Sequence, residues 1–344
     1  MRRYMLAMTL VLVVSMVGVP VLIGRLAAPG LAEALPPQEQ MQDQGDQITL
    51  KVYMPGPKVV QEMPLAEYLV GVVAAEMPPD FAMEALKAQF VVARTYAVRR
   101  MHRFAGPERG GCPLNPAADV CADPQTGQAY LSRADAEARW GKATTDVYWR
   151  RLEQAEAATA GLLVFYHGDL IDPLYHSVSG KMTEDAADYF GQSLPYLKPV
   201  DDHWGQEAPE RVLVETKSFT LDAVATALAT TGKAVSVAAL TSAAQGGKAP
   251  VRVVAPTATG RVKTVSVAGV TVTGREFREK LGLRSTDFTV TVQDGKIVVT
   301  TYGYGHGVGM SQYGADGMAK EGKDFRQILT HYYTGVEIRR MFEE

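Results

Sequence analysis

Apolar residues recur with helical spacing in two stretches between positions 65 and 103, on either side of a Met-Pro-Pro break at 77–79. The first stretch places them at i, i+3, i+4, i+7 and i+8, which predicts a helix with one buried face: Leu65, Tyr68, Leu69, Val72 and Val73. Proline cannot continue a helix, so this helix is predicted to end at about Glu76. The second is predicted to begin with Asp80 as its N-cap and to reach Arg103.

The other patterns predict an α+β fold in which a mixed helical catalytic core with β-hairpins carries a smaller α+β module, behind one transmembrane helix. Residues 47–60 alternate as strands, 134–160 are helical, and 162–177 form a hairpin. Residues 210–300 have few aromatics and many Thr, Val and Ala, with an alternating run at 262–272 and a short helix at 274–282. The predicted divisions are an anchor (1–27), a linker (28–46), a first core segment (47–209), an accessory or inserted module (210–298) and a second core segment (299–344).

The N-terminus carries an uncharged apolar run at residues 5–24, preceded by Arg2 and Arg3 and followed by Arg25. This length spans a bilayer, and the leading arginines favour a cytoplasmic N-terminus with the body of the chain outside the cell membrane. A cleaved signal peptide is the alternative, because small residues follow at 31–34, although such signals usually have a shorter apolar core. Prolines and glutamines make 28–46 a tether.

Composition and net charge limit the kinds of protein that this chain can be. The chain has 344 residues, 47% hydrophobic and 21% charged, with a net charge of −3, which indicates a globular protein of about two domains and argues against a nucleic-acid partner. Its two cysteines, Cys112 and Cys121, lie in a loop rich in Gly and Pro. Outside the membrane a disulfide fits this loop. A metal site that includes His102 is the alternative.

Glu76 is the first candidate for chemistry. The apolar stripe points it inward or into a cleft wall, and it stands in or near the last turn of its helix. The carbonyl end of a helix and partial burial both raise the pKa of a carboxyl group, as a general acid requires. The alternative is a structural glutamate, solvated or paired with arginine.

Two polar motifs and one basic helix supply further candidates. The first motif is Tyr175-His176-Ser177-Val178-Ser179-Gly180, followed by an acidic loop with Glu184 and Asp185. The second alternates glycine with other residues around His306 and continues to Ser311-Gln312, which lets backbone approach a ligand closely. Neither matches a serine-hydrolase elbow or a dinucleotide fingerprint. The second helix carries Arg94 among several basic residues, either a wall for an acidic polymer or a solvated face.

Three strings stand in order over about residues 48–340: AAEMPPDF with EALKAQFVVARTYA, then LYHSVSG, then YGHGVGMSQYGA with ILTHYYTGVEI. Together they resemble the stage II sporulation protein D family and touch the related amidase enhancers. The resemblance implies a membrane-bound lytic transglycosylase that cuts peptidoglycan glycan strands between N-acetylmuramic acid and N-acetylglucosamine, leaving 1,6-anhydro ends. It implies action in septal remodelling and forespore engulfment, with sporulation protein P (an amidase/endopeptidase) and sporulation protein M as complex members.

The resemblance also assigns residues. Its catalytic glutamate falls on Glu76, and its substrate-cleft residues fall on the two polar motifs: His176, Ser177, Ser179, His306, Ser311 and Gln312. Tyr175 and Arg94 are further candidates for substrate binding, and Glu184 or Asp185 for a second carboxylate. One rival is a non-catalytic peptidoglycan-binding enhancer of a partner N-acetylmuramoyl-L-alanine amidase. Another is a metal hydrolase that uses His176 and His306, although the chain lacks an H-x-x-H or H-E-x-x-H pattern.

One departure from the family concerns zinc. Some members build a zinc site from a cysteine, a His-Cys pair and a nearby histidine. Here Cys121 is followed by Ala-Asp-Pro-Gln-Thr-Gly-Gln, with no His-Cys pair. We therefore expect no metal and no cofactor, and a Cys112–Cys121 disulfide instead.

Overall fold

The computed structural model describes residues 48–105, 110–233 and 235–340, and the chain has a mixed α+β fold as the sequence predicts. The described residues divide into two compact units, those up to Leu162 together with Arg340, and Leu163–Arg339. The predicted anchor (1–27) and linker (28–46) lie outside the described residues. Within the described ranges, we find no helix with both the length and the apolar character needed to cross a bilayer.

The first unit combines a small sheet with helices. Strands β1 (Thr49–Met54) and β2 (Val59–Pro64) are antiparallel, and β3 (Val120–Cys121) joins β1 in parallel. The helices of this unit are α1 (Leu65–Glu76), α2 (Met83–Arg100), α3 (His102–Ala105), α4 (Arg133–Trp140) and α5 (Lys142–Ala158). Helices α1, α2 and α5 pack against one another.

The predicted helix pair is confirmed, with corrections at its centre and at its end: α2 stops at Arg100 and not at Arg103, because Met101 is extended and α3 is a separate short helix. All five residues of the apolar stripe on α1 are buried. Met77 is extended and its N–H still donates to Val73 O, so the helix stops at the residue before Met77 and the prolines. The prediction of an Asp80 N-cap is wrong: Asp80 is exposed and the capping position of α2 is Ala82, without a side-chain cap. The predicted helix at 134–160 is split at Gly141, which has a φ of +81°.

A disulfide joins Cys112 to Cys121, as predicted. Both cysteines are buried, and they pack with Ala118 and Tyr53 into a small satellite core. The loop that contains them is therefore tied to strand β1.

The described residues of the second unit form four small sheets. Strands β4 (Leu162–Tyr166), β5 (Asp169–Leu170) and β14 (Glu337–Arg340) form one sheet, and β6 (Tyr175–His176) pairs in parallel with β13 (Met310–Ser311). The other two sheets have the orders β11-β12-β7 and β10-β9-β8, from β7 (Val214–Phe219), β8 (Val251–Pro256), β9 (Val262–Val267), β10 (Val270–Thr273), β11 (Asp287–Gln293) and β12 (Lys296–Tyr302). The helices are α6 (Ala186–Phe190), α7 (Glu210–Leu213), α8 (Leu221–Ala229), α9 (Val237–Gln245), α10 (Gly274–Leu281), α11 (Gln312–Lys320) and α12 (Phe325–Tyr332).

The predicted hairpin at 162–177 is confirmed only in its first half. Strands β4 and β5 are antiparallel around residues 167–168, but the returning strand ends at Leu170. The next extended pair, Tyr175 and His176, leaves to pair with Met310 and Ser311. This long-range parallel pairing places the two polar motifs side by side.

The predicted module at 210–298 has a core of its own within the second unit. Its buried residues come from α8, α9, α10 and the strands β8 to β12, with Leu228, Leu240, Val265, Phe277 and Ile297 among them. The predicted alternating run is β9 and β10, and the short helix at 274–282 is α10, which begins with a capping box from Thr273 and Glu276.

Candidate functional site

The carboxylate of Glu76 is held at the end of α1 by a backbone contact from a distant loop. Ala129 N donates to Glu76 Oε1 at 2.7 Å, and the side chain is partly buried. The last turn of α1 carries no basic residue, so the helix carbonyls disfavour a negative charge there, while the N–H of Ala129 favours it. The predicted position in the last turn is confirmed.

The loop that presents Ala129 is anchored on both sides. Tyr130 stacks on Tyr68 with ring centroids 6.0 Å apart, and a Cβ at Gly71 would lie 2.3 Å from the Tyr130 ring. Leu131 N donates to Gly71 O at 3.0 Å. Burial raises the pKa of Tyr68 well above its usual range, and the nearby Tyr96 and Glu76 add to that shift. The phenol of Tyr68, on which the loop packs, is therefore neutral at physiological pH.

Arg94 does not line a basic surface. Its side chain is fully buried, its Nη2 donates to Glu156 Oε1 at 3.1 Å, and its Nη1 donates to Thr159 O at 2.9 Å. A guanidinium without exposed surface cannot contact a glycan. The prediction that Arg94 binds substrate is corrected: it is an internal tie between α2 and the end of α5.

His176 is the centre of a buried network in the second unit. Its Nδ1 lies 3.2 Å from Val308 O, and its Nε2 lies 2.5 Å from Ser179 Oγ. A carbonyl can only accept, so Nδ1 carries the proton and Nε2 accepts from the Ser179 hydroxyl. Burial, then the neighbouring His306 and Arg261, lower the pKa of His176 well below its usual range. His176 is therefore a neutral positioning group.

His306 faces the same network with the opposite tautomer. Val308 N donates to its Nδ1 at 3.0 Å, so the proton sits on Nε2, beside the backbone of Tyr175. Burial and then Arg278 lower the pKa of His306 to about 3. The His176 and His306 ring centroids are 5.6 Å apart. The structure thus brings together two histidines that lie far apart in the sequence.

The alternating glycines serve packing within the protein, which corrects the predicted close approach of backbone to a ligand. Gly305 has a φ of +118°, and a Cβ there would lie 2.6 Å from His176 Cβ. A Cβ at Gly309 would lie 2.0 Å from Leu174 O. The glycines let the loop around His306 lie directly on the strand that carries His176.

Asp202 is a residue that sequence reasoning missed. It is fully buried and accepts from Tyr332 OH at 2.7 Å, and the backbone N–H of Ser179 and the hydroxyl of Ser311 also stabilise its carboxylate. Burial raises the pKa of Asp202 to about 6, against the opposing effect of these hydrogen bonds. Asp202 thus ties the two polar motifs together. An acidic pair at 201–202 close to a tryptophan is the signal that could have found it, but the segment has no periodicity and is predicted only as an extended link.

The predicted second carboxylates have structural roles. Glu184 is buried, and its Oε2 accepts from Thr257 and Thr259 at 2.7 and 2.8 Å, while its Oε1 accepts from Asp185 N at 2.8 Å. Asp185 caps α6 and pairs with Lys198 at 3.1 Å. Both oxygens of each carboxylate thus accept hydrogen bonds from within the protein.

The module at 210–298 reaches into these motifs. The buried guanidinium of Arg261 donates to Ser179 O at 3.0 Å and lies against Gly307, where a Cβ would be 2.8 Å from Cζ. The module therefore contacts the polar segments at two places: Arg261 binds the backbone of Ser179, and Thr257 and Thr259 bind the carboxylate of Glu184.

The residues do not fit a metal. In the described ranges, no group of three or more His, Cys, Asp and Glu side chains is arranged to hold an ion. The ring nitrogens of His176 and His306 are engaged as described, and Cys121, the remaining cysteine of the zinc pattern, is in the disulfide. Within the part of the chain that the structure describes, the metal-hydrolase alternative therefore has no ligand set.

Solvent exposure divides the residues of the two polar motifs into those that could contact a ligand and those that only position their neighbours. Tyr175, Ser177 and His306 are partly exposed, whereas the other motif residues are buried: His176, Ser179, Ser311 and Gln312. Ser311 is fully buried and caps α11 by accepting from Gly314 N at 3.2 Å, so we do not expect it to touch a ligand, contrary to its predicted role. Glu76 belongs to the first unit and the two motifs to the second.

Comparison with known proteins places the chain in a family. Residues 53–166 match the profile of the family described as "Stage II sporulation protein". The chain is 37% identical over 291 residues to "Stage II sporulation protein D" of Bacillus subtilis, which covers 85% of this chain and 79% of that protein. The counterpart of Bacillus amyloliquefaciens is 36% identical, over 85% of this chain and 78% of that protein.

A more distant relative is "Amidase enhancer" of Bacillus subtilis, which is 27% identical over 78% of this chain and 40% of that protein. Its similarity agrees with the predicted kinship to amidase enhancers. On the identity and coverage of the nearer relatives, this chain belongs to the stage II sporulation protein D family.

Proposed function

We propose that this chain is a membrane-anchored lytic transglycosylase that cuts peptidoglycan glycan strands between N-acetylmuramic acid and N-acetylglucosamine. The observation that carries the proposal is Glu76: a partly exposed carboxylate at a helix end, oriented by Ala129 N. It lies in the segment of the chain that matches the family profile. The backbone contact fixes the direction of the carboxyl group, and its partial exposure gives a substrate access for proton transfer.

The reaction needs only this one carboxyl group. Glu76 in its acid form protonates the glycosidic oxygen, and the bond from that oxygen to C1 of N-acetylmuramic acid breaks through an oxocarbenium-like state. The 6-hydroxyl of the same sugar then bonds to C1 and gives its proton to the Glu76 carboxylate, which restores the acid. A 1,6-anhydro ring is formed and no water is consumed. The structural roles of Glu184 and Asp185 are compatible with this single-carboxylate scheme.

The two polar motifs of the second unit offer hydrogen-bonding groups for a glycan. His306, Tyr175 and Ser177 have surface on which a sugar could hydrogen-bond, and His176, Ser179 and Asp202 hold them in place. Both histidines are neutral, so neither acts as a proton donor at neutral pH: His306 offers a fixed hydrogen-bonding group, and the buried His176 positions its neighbours.

The cellular setting is also included in the proposal. Residues 1–27 would anchor the chain with its N-terminus in the cytoplasm and its body at the septum, where it acts in peptidoglycan remodelling and engulfment of the forespore. The relatives named "Stage II sporulation protein D" support this setting. The relative named "Amidase enhancer" supports an amidase partner, proposed as sporulation protein P. Sporulation protein M is proposed from the sequence resemblance alone.

A second candidate function is a glycan-binding enhancer of a partner N-acetylmuramoyl-L-alanine amidase, which does not itself cut. The similarity to a protein named "Amidase enhancer" favours it. Glu76 would then accept hydrogen bonds from the bound glycan and take no role in proton transfer.

Incubation of the purified full chain with peptide-free glycan strands, followed by mass spectrometry, tests the proposal. We expect anhydro-ended fragments from the wild type, unchanged by EDTA. In Glu76→Gln they should fall by about 10²–10⁴-fold or more, because the amide cannot transfer the proton. Glu67→Gln removes a carboxylate from the first turn of the same helix and should leave cleavage intact. Binding without any cleavage by the wild type would establish the enhancer instead.

A further inference from the structure

A cluster of aromatic rings and arginines extends the surface beside His306. It consists of Tyr189 and Phe190 at the end of α6 and of Arg275 and Arg278 on α10, and we call it the aromatic–arginine cluster. The Phe190 ring meets the His306 ring edge-on, with centroids 5.5 Å apart, and 38% of Phe190 is exposed. The cluster is therefore an open aromatic surface next to a predicted sugar-binding group.

Arg278 fixes the inner side of this cluster. Its Nη1 donates to Tyr189 OH at 2.6 Å and its Nε donates to Arg284 O at 3.1 Å. Tyr189 is buried, so the pair forms a rigid back wall. Phe190 packs against that wall with a centroid distance of 4.8 Å to the Tyr189 ring.

Arg275 is the outer and exchangeable member. Its Cζ lies 5.3 Å from the centroids of both Tyr189 and Phe190. Its Nε donates to Glu279 at 2.8 Å, and within the described ranges its two terminal nitrogens make no other hydrogen bond. Both partners of this ion pair are nearly half exposed, and such surface pairs contribute little to stability, so an incoming carboxylate can replace Glu279.

This arrangement matches a carboxylate attached to a sugar. The C–H face of a sugar ring packs on an exposed aromatic ring, and a guanidinium binds a carboxylate through two parallel hydrogen bonds. The arginines also create a positive local potential: Arg278, Arg261 and Arg275 each lower the pKa of His306. A neutral sugar would use the aromatic ring alone and would make no charge-assisted contact with Arg275.

We propose that the aromatic–arginine cluster is a subsite for a sugar residue that bears a carboxylate. The inference rests on the proposed binding of peptidoglycan. In that polymer the carboxylate has two sources, the lactyl group of peptide-free N-acetylmuramic acid and the stem peptide. Phe190 supplies the stacking surface and Arg275 the charge, so the two contributions are separable.

Equilibrium titration of the full chain tests this subsite, in the Glu76→Gln background so that ligands stay intact. Three ligands of equal length are compared: peptide-free glycan, glycan with stem peptides, and an N-acetylglucosamine oligomer without carboxylates. Arg275→Ala should weaken binding of a carboxylate-bearing glycan about tenfold, equal to about 1.4 kcal/mol, and leave the neutral oligomer unchanged. Phe190→Ala should weaken all three by a similar factor. Arg252→Ala, which removes an exposed arginine from the same module, should change none.

The pattern of losses identifies the source of the carboxylate. If Arg275→Ala weakens binding of peptide-free glycan, the lactyl carboxylate is the group that Arg275 binds. If it weakens binding only of glycan with stem peptides, the carboxylate belongs to the stem peptide. Either result supports the subsite. If Arg275→Ala equals Arg252→Ala on every ligand, the proposal is overturned. Wild-type cleavage is measured in parallel: absent cleavage with the predicted binding pattern refutes the transglycosylase and leaves the subsite standing.

Discussion

The buried carboxylate of Asp202 makes the stability of the second unit depend on pH in a direction that can be predicted. Replacing it by asparagine keeps its shape and its ability to accept from Tyr332, but removes the titration. Burial raises the pKa of Asp202 from 3.8 to about 6 in the folded protein. The folded state therefore holds a proton that the unfolded state has released, throughout the range between these values.

The magnitude follows from this difference of roughly two pH units, which corresponds to about 3 kcal/mol. An acid with a raised pKa favours the folded state most below pH 3.8, and that advantage is lost as the pH rises through about 6. Between about pH 4.5 and about pH 8 the wild type should lose about 2 kcal/mol relative to Asp202→Asn, or roughly 4–8 °C in Tm. The lowered pKa values of His176 and His306 act in the opposite direction, but they are present in both proteins and cancel in the comparison.

Thermal unfolding of wild type and Asp202→Asn at a series of pH values measures this difference. The Tm of Asp202→Asn minus the Tm of the wild type should increase as the pH rises, most steeply between about pH 4.5 and about pH 6. Asp294→Asn is the control, because that carboxylate of the second unit is exposed in the turn between β11 and β12. If the difference in Tm between wild type and Asp202→Asn does not change with pH, Asp202 is not a titrating buried carboxyl and the reasoning fails.

Three further predictions concern packing within each of the two units. Arg94→Met should destabilise the protein by about 3–5 kcal/mol in denaturant unfolding, because the buried Glu156 loses its ion pair with Arg94, and adding Glu156→Leu should recover some of the loss. Reducing the Cys112–Cys121 disulfide should cost roughly 2–3 kcal/mol for a loop with a sequence separation of 9, seen as a lower Tm with reductant that the double serine variant does not show. Gly305→Ala should destabilise by about 2–5 kcal/mol, since it combines a positive φ with a Cβ 2.6 Å from a neighbouring side chain; near-native stability would contradict the packing role of that glycine.

Sequence patterns predicted the features of the fold that are decided by residues close together in the chain. The stripe on α1 predicts the helix and one of its buried faces, and the prolines after Met77 predict where it ends, because helix geometry is set within a few residues. The placement of Glu76 in the last turn follows from the same facts. The burial of Val70, Gly71 and Ala74 on the opposite side depends on tertiary packing and was not predicted. The disulfide needed only the compartment implied by the N-terminus and two cysteines in one loop.

Contacts between residues far apart in the sequence were not predicted, because no local pattern encodes them. The parallel pairing of Tyr175–His176 with Met310–Ser311 involves two residues on each side, too few for any periodicity. Arg94 stands on a helix with other basic residues, and only tertiary packing decides that it points inward to Glu156. The glycines near His306 predict room for a ligand, whereas the neighbour they accommodate is another strand of the same unit.

Digestion of peptide-free glycan in water enriched in heavy oxygen, followed by mass spectrometry of the new ends, tests the central claim most directly. The account predicts anhydro ends without label, because the 6-hydroxyl of the sugar and not water closes the reaction, and predicts their loss in Glu76→Gln but not in Glu67→Gln. Labelled reducing ends would show a hydrolase, and unaltered strands a non-catalytic binder. Either result would contradict the assignment of Glu76 as the acid of a lytic transglycosylase.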